Sequence, residues 1–353
     1  MTPDHPALQR RSLLRAAVTL GGATALATAL PAGSASARPV SAGTGTAAVP
    51  PGRRGGRAVP GTDIWINLAE GGVDDATGKA VITVQAGNAG TAPATGDLAV
   101  YLITPFYLNF DPAALPAEFD SFVVNNPAPY VPEMIKCVLP VARLGANSMT
   151  TFTVGLLQVP DGPQVYDFMQ AFAVPAQSDS DVTLLNNEGL GTVSRTIPPA
   201  RTVPPGANPV DLYFTFRQAR IATGRTNRMA LYFGNAGSNA LTHDAVFTLV
   251  TPYHVKIDRN DAAFKLRHPT YHHDIADSHV PDVVSFAVPK LVLPPDPALL
   301  VDVLHLNEVQ VPLIGYDGGN ANRAGKGMLA VGGGTDFDTN LAIAISHVGI
   351  IQP

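Results

Sequence analysis

One stretch of this chain occurs twice, and that repetition restricts the possible folds more than any other feature. Gly87 to Asp111 reads GNAGTAPATGDLAVYLITPFYLNFD and Gly234 to Asp258 reads GNAGSNALTHDAVFTLVTPYHVKID, aligned without a gap at an offset of 147. Ten of the 25 pairs are identical: Gly87, Asn88, Ala89, Gly90, Thr95, Asp97, Leu102, Thr104, Pro105 and Asp111. Unrelated segments of average composition share about two, so the match marks an internal duplication. Each copy places a Gly-Asn-Ala-Gly turn before an alternating apolar run that stops at Thr-Pro, the punctuation of a β-strand.

The 353 residues leave room for two domains, and 33 Gly with 32 Pro suit short strands and many turns better than long helices. Short alternating segments follow one another through the first half: Ile64 to Leu68, Ala80 to Gln85, Leu98 to Thr104, Phe119 to Val124, Met134 to Leu139, Met149 to Leu157, Val165 to Val174 and Thr192 to Ile197. In Met149 to Leu157, Phe152, Val154 and Leu156 share one face and Thr151 and Thr153 the other. Eight such segments between turn residues predict an antiparallel sandwich. The second half repeats the plan, since Val131 to Pro140 corresponds to Val280 to Pro289 at an offset of 149. The expected fold class is all-β, with two tandem duplicated antiparallel immunoglobulin-like sandwich domains at 62–197 and 210–353. A Pro-rich linker at 198–209 joins them and is expected to be extended and stiff.

Residues 38–61 form a Gly/Pro/Ala-rich tether carrying Arg53, Arg54 and Arg57, without the apolar periodicity that packing needs, and are expected to be disordered. Before it, Arg10-Arg11-Ser12-Leu13-Leu14-Arg15 precedes an alanine-rich apolar stretch, and Ala35-Ser36-Ala37 supplies a small-x-small cleavage site. Residues 1–37 therefore resemble a twin-arginine signal peptide, which implies export of the folded protein. The net charge is −5, falling to −7 once that segment is removed, which argues against nucleic acid as a partner. No later apolar run is long enough to span a bilayer, so no membrane span is expected after cleavage. The lone Cys137 has no partner for an internal disulfide, and its apolar surroundings, Met134 to Leu139, mark a small buried hydrophobe.

The Asn88-Ala-Gly90 turn, the strand closing at Pro105 and the Asn186-Asn187 turn before the last strand recur as Asn235-Ala-Gly237, Pro252 and Asn340. Together they resemble the immunoglobulin-like, adhesion-related (CARDB-like) modules of bacterial surface and secreted proteins. That resemblance implies a binding module whose partner is a surface protein or a glycan. One departure is the long insert after the Thr-Pro strand, Phe106 to Tyr130 and Tyr253 to His279.

The second insert holds the densest chemistry. His268, His272, His273 and His279 fall within twelve residues, with Asp274, Asp277 and Asp282 nearby, a donor set suited to zinc or copper. Against it, the first copy has no histidine there, adjacent His272 and His273 do not easily face one metal, and no HExxH or paired CxxC frames the cluster. The plainer reading is an exposed polar loop. Asp336, Asp338 and Asn340 are spaced as a calcium loop begins, but Leu341 and His347 stand where an EF-hand needs Gly and Glu, which leaves an oxygen-lined turn as the only calcium option. Gly332 to Gly334 and Gly315 to Gly319 read as hairpin turns, since no Gly-Lys-Ser/Thr accompanies them. There is no G-x-S-x-G elbow, and Asp74-Asp75 sits in a glycine-flanked turn. Tyr101, Phe106, Tyr107, Tyr253 and Tyr271 are candidates for a binding platform, though aromatics at strand ends more often plug a sandwich. The expectation is an exported, non-catalytic binding, adhesion or structural protein without a cofactor. The alternative is a metal- or glycan-binding accessory protein that uses the histidine-rich insert.

Overall fold

The computed structural model describes residues 60–126, 128–159, 167–176, 181, 183–195, 201–299, 306–316 and 321–352, all within a compact unit running from Val59 to Pro353. The signal peptide at 1–37, the tether to residue 59 and residues 198–200 of the linker lie outside the described residues.

Ten strands make the first half: β1 (Ile64–Leu68), β2 (Gly71–Val73), β3 (Lys79–Asn88), β4 (Leu98–Ile103), β5 (Leu108–Phe110), β6 (Phe119–Val124), β7 (Met134–Leu139), β8 (Ser148–Gln158), β9 (Asp167–Val174) and β10 (Glu188–Arg195). The second half holds β11 (Asn208–Val210), β12 (Leu212–Phe216), β13 (Ala219–Arg220), β14 (Thr226–Asn235), β15 (Ala245–Val250), β16 (Val255–Ile257), β17 (Thr270–Tyr271), β18 (Val283–Val288), β19 (Asn307–Gly315), β20 (Ala321–Val331), β21 (Asp336–Asp338) and β22 (Ile345–Gln352). The sheet orders are β1-β3-β8-β5 and β2-β10-β9-β4-β7-β6 in the first half, and β12-β14-β19-β16 and β13-β22-β20-β15-β18-β17 in the second. Strand for strand these are one topology. The register agrees as well: Phe110 faces Leu156 and Ile257 faces Leu313, while Ile103 faces Gln170 and Val250 faces Lys326.

Each half is a four-stranded sheet packed on a six-stranded one. In β3, Ala80, Ile82, Val84 and Ala86 are buried at every second position, and in β8 Phe152, Val154 and Leu156 meet the same core. Phe214, Leu231, Phe233 and Phe247 build the equivalent core of the second half. Two details differ from the expected antiparallel sandwich. Strands β2 and β13 pair parallel to β10 and β22 at the sheet edges, and β11 pairs parallel to β21, so the linker's last residues, Asn208 and Pro209, belong to a strand. The insert after Thr-Pro also folds into sheet: β5 crosses to the four-stranded sheet and β6 returns to the edge of the six-stranded one. The crossover needs a left-handed residue, Tyr107 (φ 61°) in one copy and His254 (φ 59°) in the other.

A third core lies between the halves. Ile103, Met134, Val131, Phe172 and Val174 from the first pack with Val250, Val283, Val280 and Tyr253 from the second. Strand β4 explains how. Leu98, Val100 and Leu102 face their own sandwich, while Ala99, Tyr101 and Ile103 face the other half. Both faces of the six-stranded sheet are therefore covered. A fully buried Val, Ile or Phe contributes about 1.5–3 kcal/mol, so this layer stabilises the molecule on the same scale as a sandwich core.

Candidate functional site

The polar residues shared by the two copies have one occupation: they hold turns and crossovers. Asn88 accepts from the Asp63 amide (3.0 Å) and the Gly90 amide (2.9 Å) and donates to the Ala92 and Leu144 carbonyls (2.7 and 3.2 Å). Asn235 repeats this with the Asp211 and Gly237 amides (3.2 and 3.0 Å) and the Asn239 carbonyl (2.8 Å). A Cβ on Gly90 would overlap the Gly61 carbonyl and one on Gly237 would crowd the Asp211 amide, so the turn requires glycine. Asp97 accepts from the Val141 amide and Asp244 from the Lys290 amide, at 2.8 and 2.9 Å. Thr104 accepts from the Glu133 amide (2.9 Å) and Thr251 from the Asp282 amide (2.8 Å). The Glu133 carboxylate in turn takes the Phe110 amide (2.7 Å), and Asp282 takes that of Ile257 (2.8 Å). Asp111 and Asp258 each cap the residue two further on at 3.0 Å.

The copies diverge around that last carboxylate. Glu133 is buried, and burial raises its pKa. Asp282 lies 3.3 Å from both Lys256 Nζ and Arg259 Nη2. Arg259 also pairs with Asp274 (2.7 Å) and lies 4.2 Å over the Tyr271 ring. In the first half Asn109 and Pro112 occupy the positions of Lys256 and Arg259. Burial lowers the pKa of Lys256 despite the neighbouring carboxylate. This network anchors the histidine-rich insert, which is thereby less exposed than the plain loop expected.

Its four histidines go to different places. His268 is exposed in a left-handed turn (φ 48°). His272 follows β17, half-buried, with Nε2 2.8 Å from Ser285 Oγ and Nδ1 3.1 Å from Asn126 Nδ2 of the other half. His273 is buried, and burial with the nearby Lys256 pushes its pKa down to about 4. His279 pairs with Asp277 at 2.6 Å, and that bond lowers the Asp277 pKa. Among the described residues no three His, Cys, Asp or Glu side chains converge as a metal would require. One imidazole that sequence reasoning passed over, His254, is buried with its ring edge-on to Tyr253 (4.1 Å) and His279 (4.5 Å).

His272 and Ser285 have the separation of a nucleophile and its base, but the proton is on the wrong nitrogen. Asn126 Oδ1 is taken by the Ala128 amide (3.0 Å), so its Nδ2 donates to His272 Nδ1 and leaves Nε2–H to donate to Ser285. Ser285 in turn shares its hydroxyl with Thr248 at 2.8 Å, and both are buried. The arrangement joins two halves; it does not deprotonate a serine.

The Asp/Asn turns divide in the same manner. Asp336 is saturated by the Asn208 side chain and by the Thr242 and His243 amides, at 2.8–3.0 Å. Asp338 is buried, accepts from the Asn340 amide (3.1 Å) and, more weakly, the Leu212 amide (3.4 Å), and leaves Oδ2 without a hydrogen-bond partner. Burial, with the Asp211 charge adding to it, pushes its pKa up to about 7. In the first half Asp181 is likewise raised by burial, with Asp63 in the place of Asp211.

Of the aromatic candidates, Phe106 and Tyr253 are buried and Tyr101, Tyr107 and Tyr271 half-buried, mostly against the opposite half. Burial pushes the Cys137 thiol up to about 12, as suits a core residue. Gly332 to Gly334 make an exposed turn, and of the stretch Gly315 to Gly319 only Gly315, which ends β19, and the exposed Tyr316 are described. A surface depression of about 220 Å³ beside β6, lined by Glu118, Phe119, Pro140 and Arg143, is open and smaller than an ordinary ligand pocket.

The fold is mostly β, with a four-stranded and a six-stranded sheet in each half forming tandem sandwiches. No protein-family model and no curated protein matches the sequence. Among solved structures, the Yersinia pseudotuberculosis adhesin InvE aligns at 8% identity over 83% of this chain and 60% of that one, with a TM-score of 0.21. The B domain of the biofilm associated protein aligns at 10% over 84% and 88% (TM-score 0.25), and the S. aureus collagen adhesin at 8% over 84% and 95% (TM-score 0.21). This chain thus spans about three-fifths of InvE's length. Likeness at these scores carries no argument about activity or partner. No described helix is long and apolar enough to cross a membrane.

Proposed function

We propose that this is an exported, non-catalytic binding, adhesion or structural protein of the bacterial surface or extracellular space. The observation that carries this reading is the use made of the duplicated polar residues. Asn88, Asp97, Thr104 and Asp111, and their counterparts 147 residues later, all hold backbone groups of their own half, and the second oxygens of Asp111 and Asp258 take Lys79 and Thr226 of that half. A duplicated scaffold of that kind leaves recognition to its loops. Its partner is a surface protein or a glycan. Residues 1–37 supply the export route, so replacing Arg10 and Arg11 by lysine retains the protein inside the cell, while normal secretion of that variant refutes the route. The exported protein, screened on a glycan array and against surface-protein extracts, gives saturable binding to one class. Turnover in a hydrolase substrate panel, abolished by Ser285→Ala, would sink the non-catalytic reading.

The accessory metal reading rests on the density of histidine in the second insert. Titration calorimetry with zinc and copper on wild type and on the His268→Ala, His272→Ala, His279→Ala triple variant separates the two. The scaffold reading expects equal heats. A stoichiometric heat present only in wild type, and weakening as pH falls through about 6.5, would establish the metal site instead.

A further inference from the structure

The contacts between the halves are reciprocal. Gln170 of β9 and Lys326 of β20 hold the same place in their sheets, one facing Ile103 and the other Val250, which are themselves duplicates. Gln170 Nε2 donates to the Ala324 carbonyl (3.2 Å), and Lys326 Nζ donates to the Phe168 carbonyl (2.9 Å). Phe168 and Ala324 each stand two residues before the other's partner. Residue i meeting j′ while j meets i′ is the mark of an isologous two-fold interface.

We propose that the outer face of each six-stranded sheet is a self-pairing surface, that the partner it fits is a second sandwich of this same kind, and that the difference between Gln170 and Lys326 selects the pairing of unlike halves. Lys326 is fully buried, lies 5.3 and 5.6 Å from the Phe106 and Phe168 ring centroids, and also donates to the Thr104 carbonyl (2.5 Å). One ammonium is satisfied there because the opposite position is a neutral amide. Two second halves meeting by the same operation would set two buried cations against each other. Two first halves would meet as Gln170 against Gln170 and lack the ammonium's bonds. Pairing of unlike halves thus wins over pairing of like ones.

The test places a site-specific protease site in the exposed turn Pro204 to Gly206 of the full chain, nicks the folded protein, and follows the two fragments by light scattering from 20 to 0.1 µM. Wild-type fragments stay together as a 1:1 pair, and Lys326→Gln weakens them by tenfold or less. Gln170→Lys, which makes both positions cationic, weakens them at least 100-fold. The swap Gln170→Lys with Lys326→Gln recovers at least tenfold of that loss, because two-fold symmetry returns one ammonium to an equivalent set of carbonyls. Should Gln170→Lys alone fail to fold, the swap decides: fragments that stay together support the proposal, and fragments that part overturn it. Wild-type fragments separating at micromolar concentration, or a Gln170→Lys loss no larger than that of Lys326→Gln, also overturn it.

Discussion

Asp338→Asn should make this protein more stable at alkaline pH, the reverse of what removing a buried hydrogen-bonding carboxylate usually does. The carboxyl is pushed up to about 7 from an ordinary 3.8 by burial, and no cation bonds its free oxygen Oδ2. A raised carboxyl favours folding fully below the unfolded value, and that advantage is lost as pH rises from 3.8 through 7. Above 7 the native state holds a buried carboxylate, at a cost of about 4 kcal/mol from the 3.2-unit difference. An asparagine there never ionises. Its Oδ1 accepts from the Asn340 and Leu212 amides as the carboxylate does, and its Nδ2 brings a donor to a neighbourhood where Asp211 Oδ1 also lacks one. Allowing half the gain for imperfect geometry, we expect Asp338→Asn to be about 2–4 kcal/mol more stable than wild type at pH 8 and equal to it near pH 4. Urea denaturation followed by tryptophan fluorescence at both pH values measures this, with Trp65 as the reporter. Lower stability of the variant at pH 8 would refute the reasoning. If calcium then stabilised wild type and not the variant, the turn would be the cation site its spacing hints at.

The same variant exposes an opposite titration. His273, held near 4 against an ordinary 6.5 by burial, contributes stability that is complete above 6.5 and is lost as pH falls through 4, about 3 kcal/mol at most. In the Asp338→Asn background stability should therefore climb from pH 4 to 6.5, and a flat profile there would count against a buried neutral imidazole. Asn88→Ala and Asn235→Ala should each cost about 2–4 kcal/mol in urea denaturation, because each strands buried amides and carbonyls of one turn. A loss below 1 kcal/mol at either position would show that water replaces the side chain. Asn126→Ala, which removes one half-buried bond to His272 between the halves, should cost about 1 kcal/mol, and a loss as large as that of Asn88→Ala would mean the contact between halves depends on it.

Much of the fold was legible because alternation and turn chemistry are local signals. The inward row Phe152, Val154 and Leu156 and the Asn-Ala-Gly turns sit where their pattern puts them. Strands β2, β5, β13 and β16 escaped notice because two or three residues carry no period. The layer between the halves left a trace that went unread: LAVYLI in β4 and AVFTLV in β15 are apolar at nearly every position, which is the pattern of a strand covered on both faces rather than one. Lys326 misleads for the opposite reason. In Gly325-Lys326-Gly327 it looks like a turn or surface cation, whereas carbonyls of another half, more than 150 residues away in sequence, accept from its ammonium and help to make its burial tolerable.

The pattern of identity and difference between the copies follows from this division of labour. Residues that act within a half answer the same local geometry twice, so Asn88, Asp97, Thr104 and Asp111 recur unchanged. Residues that act between halves need only fit each other, so Phe106 became Tyr253, Met134 became Val283 and Gln170 became Lys326 without loss of contact. An amide and an ammonium can each reach the other half's carbonyl, whereas an identical pair of ammoniums cannot share one dry interface. Divergence at these positions is therefore what a fused pair permits and a symmetric dimer forbids. A binding surface built on such a pair presents two unlike segments beside each other, His268 to His279 and the stretch that follows β6, which meet where Asn126 bonds His272. Any ligand that spans both would read their difference, not their common ancestry.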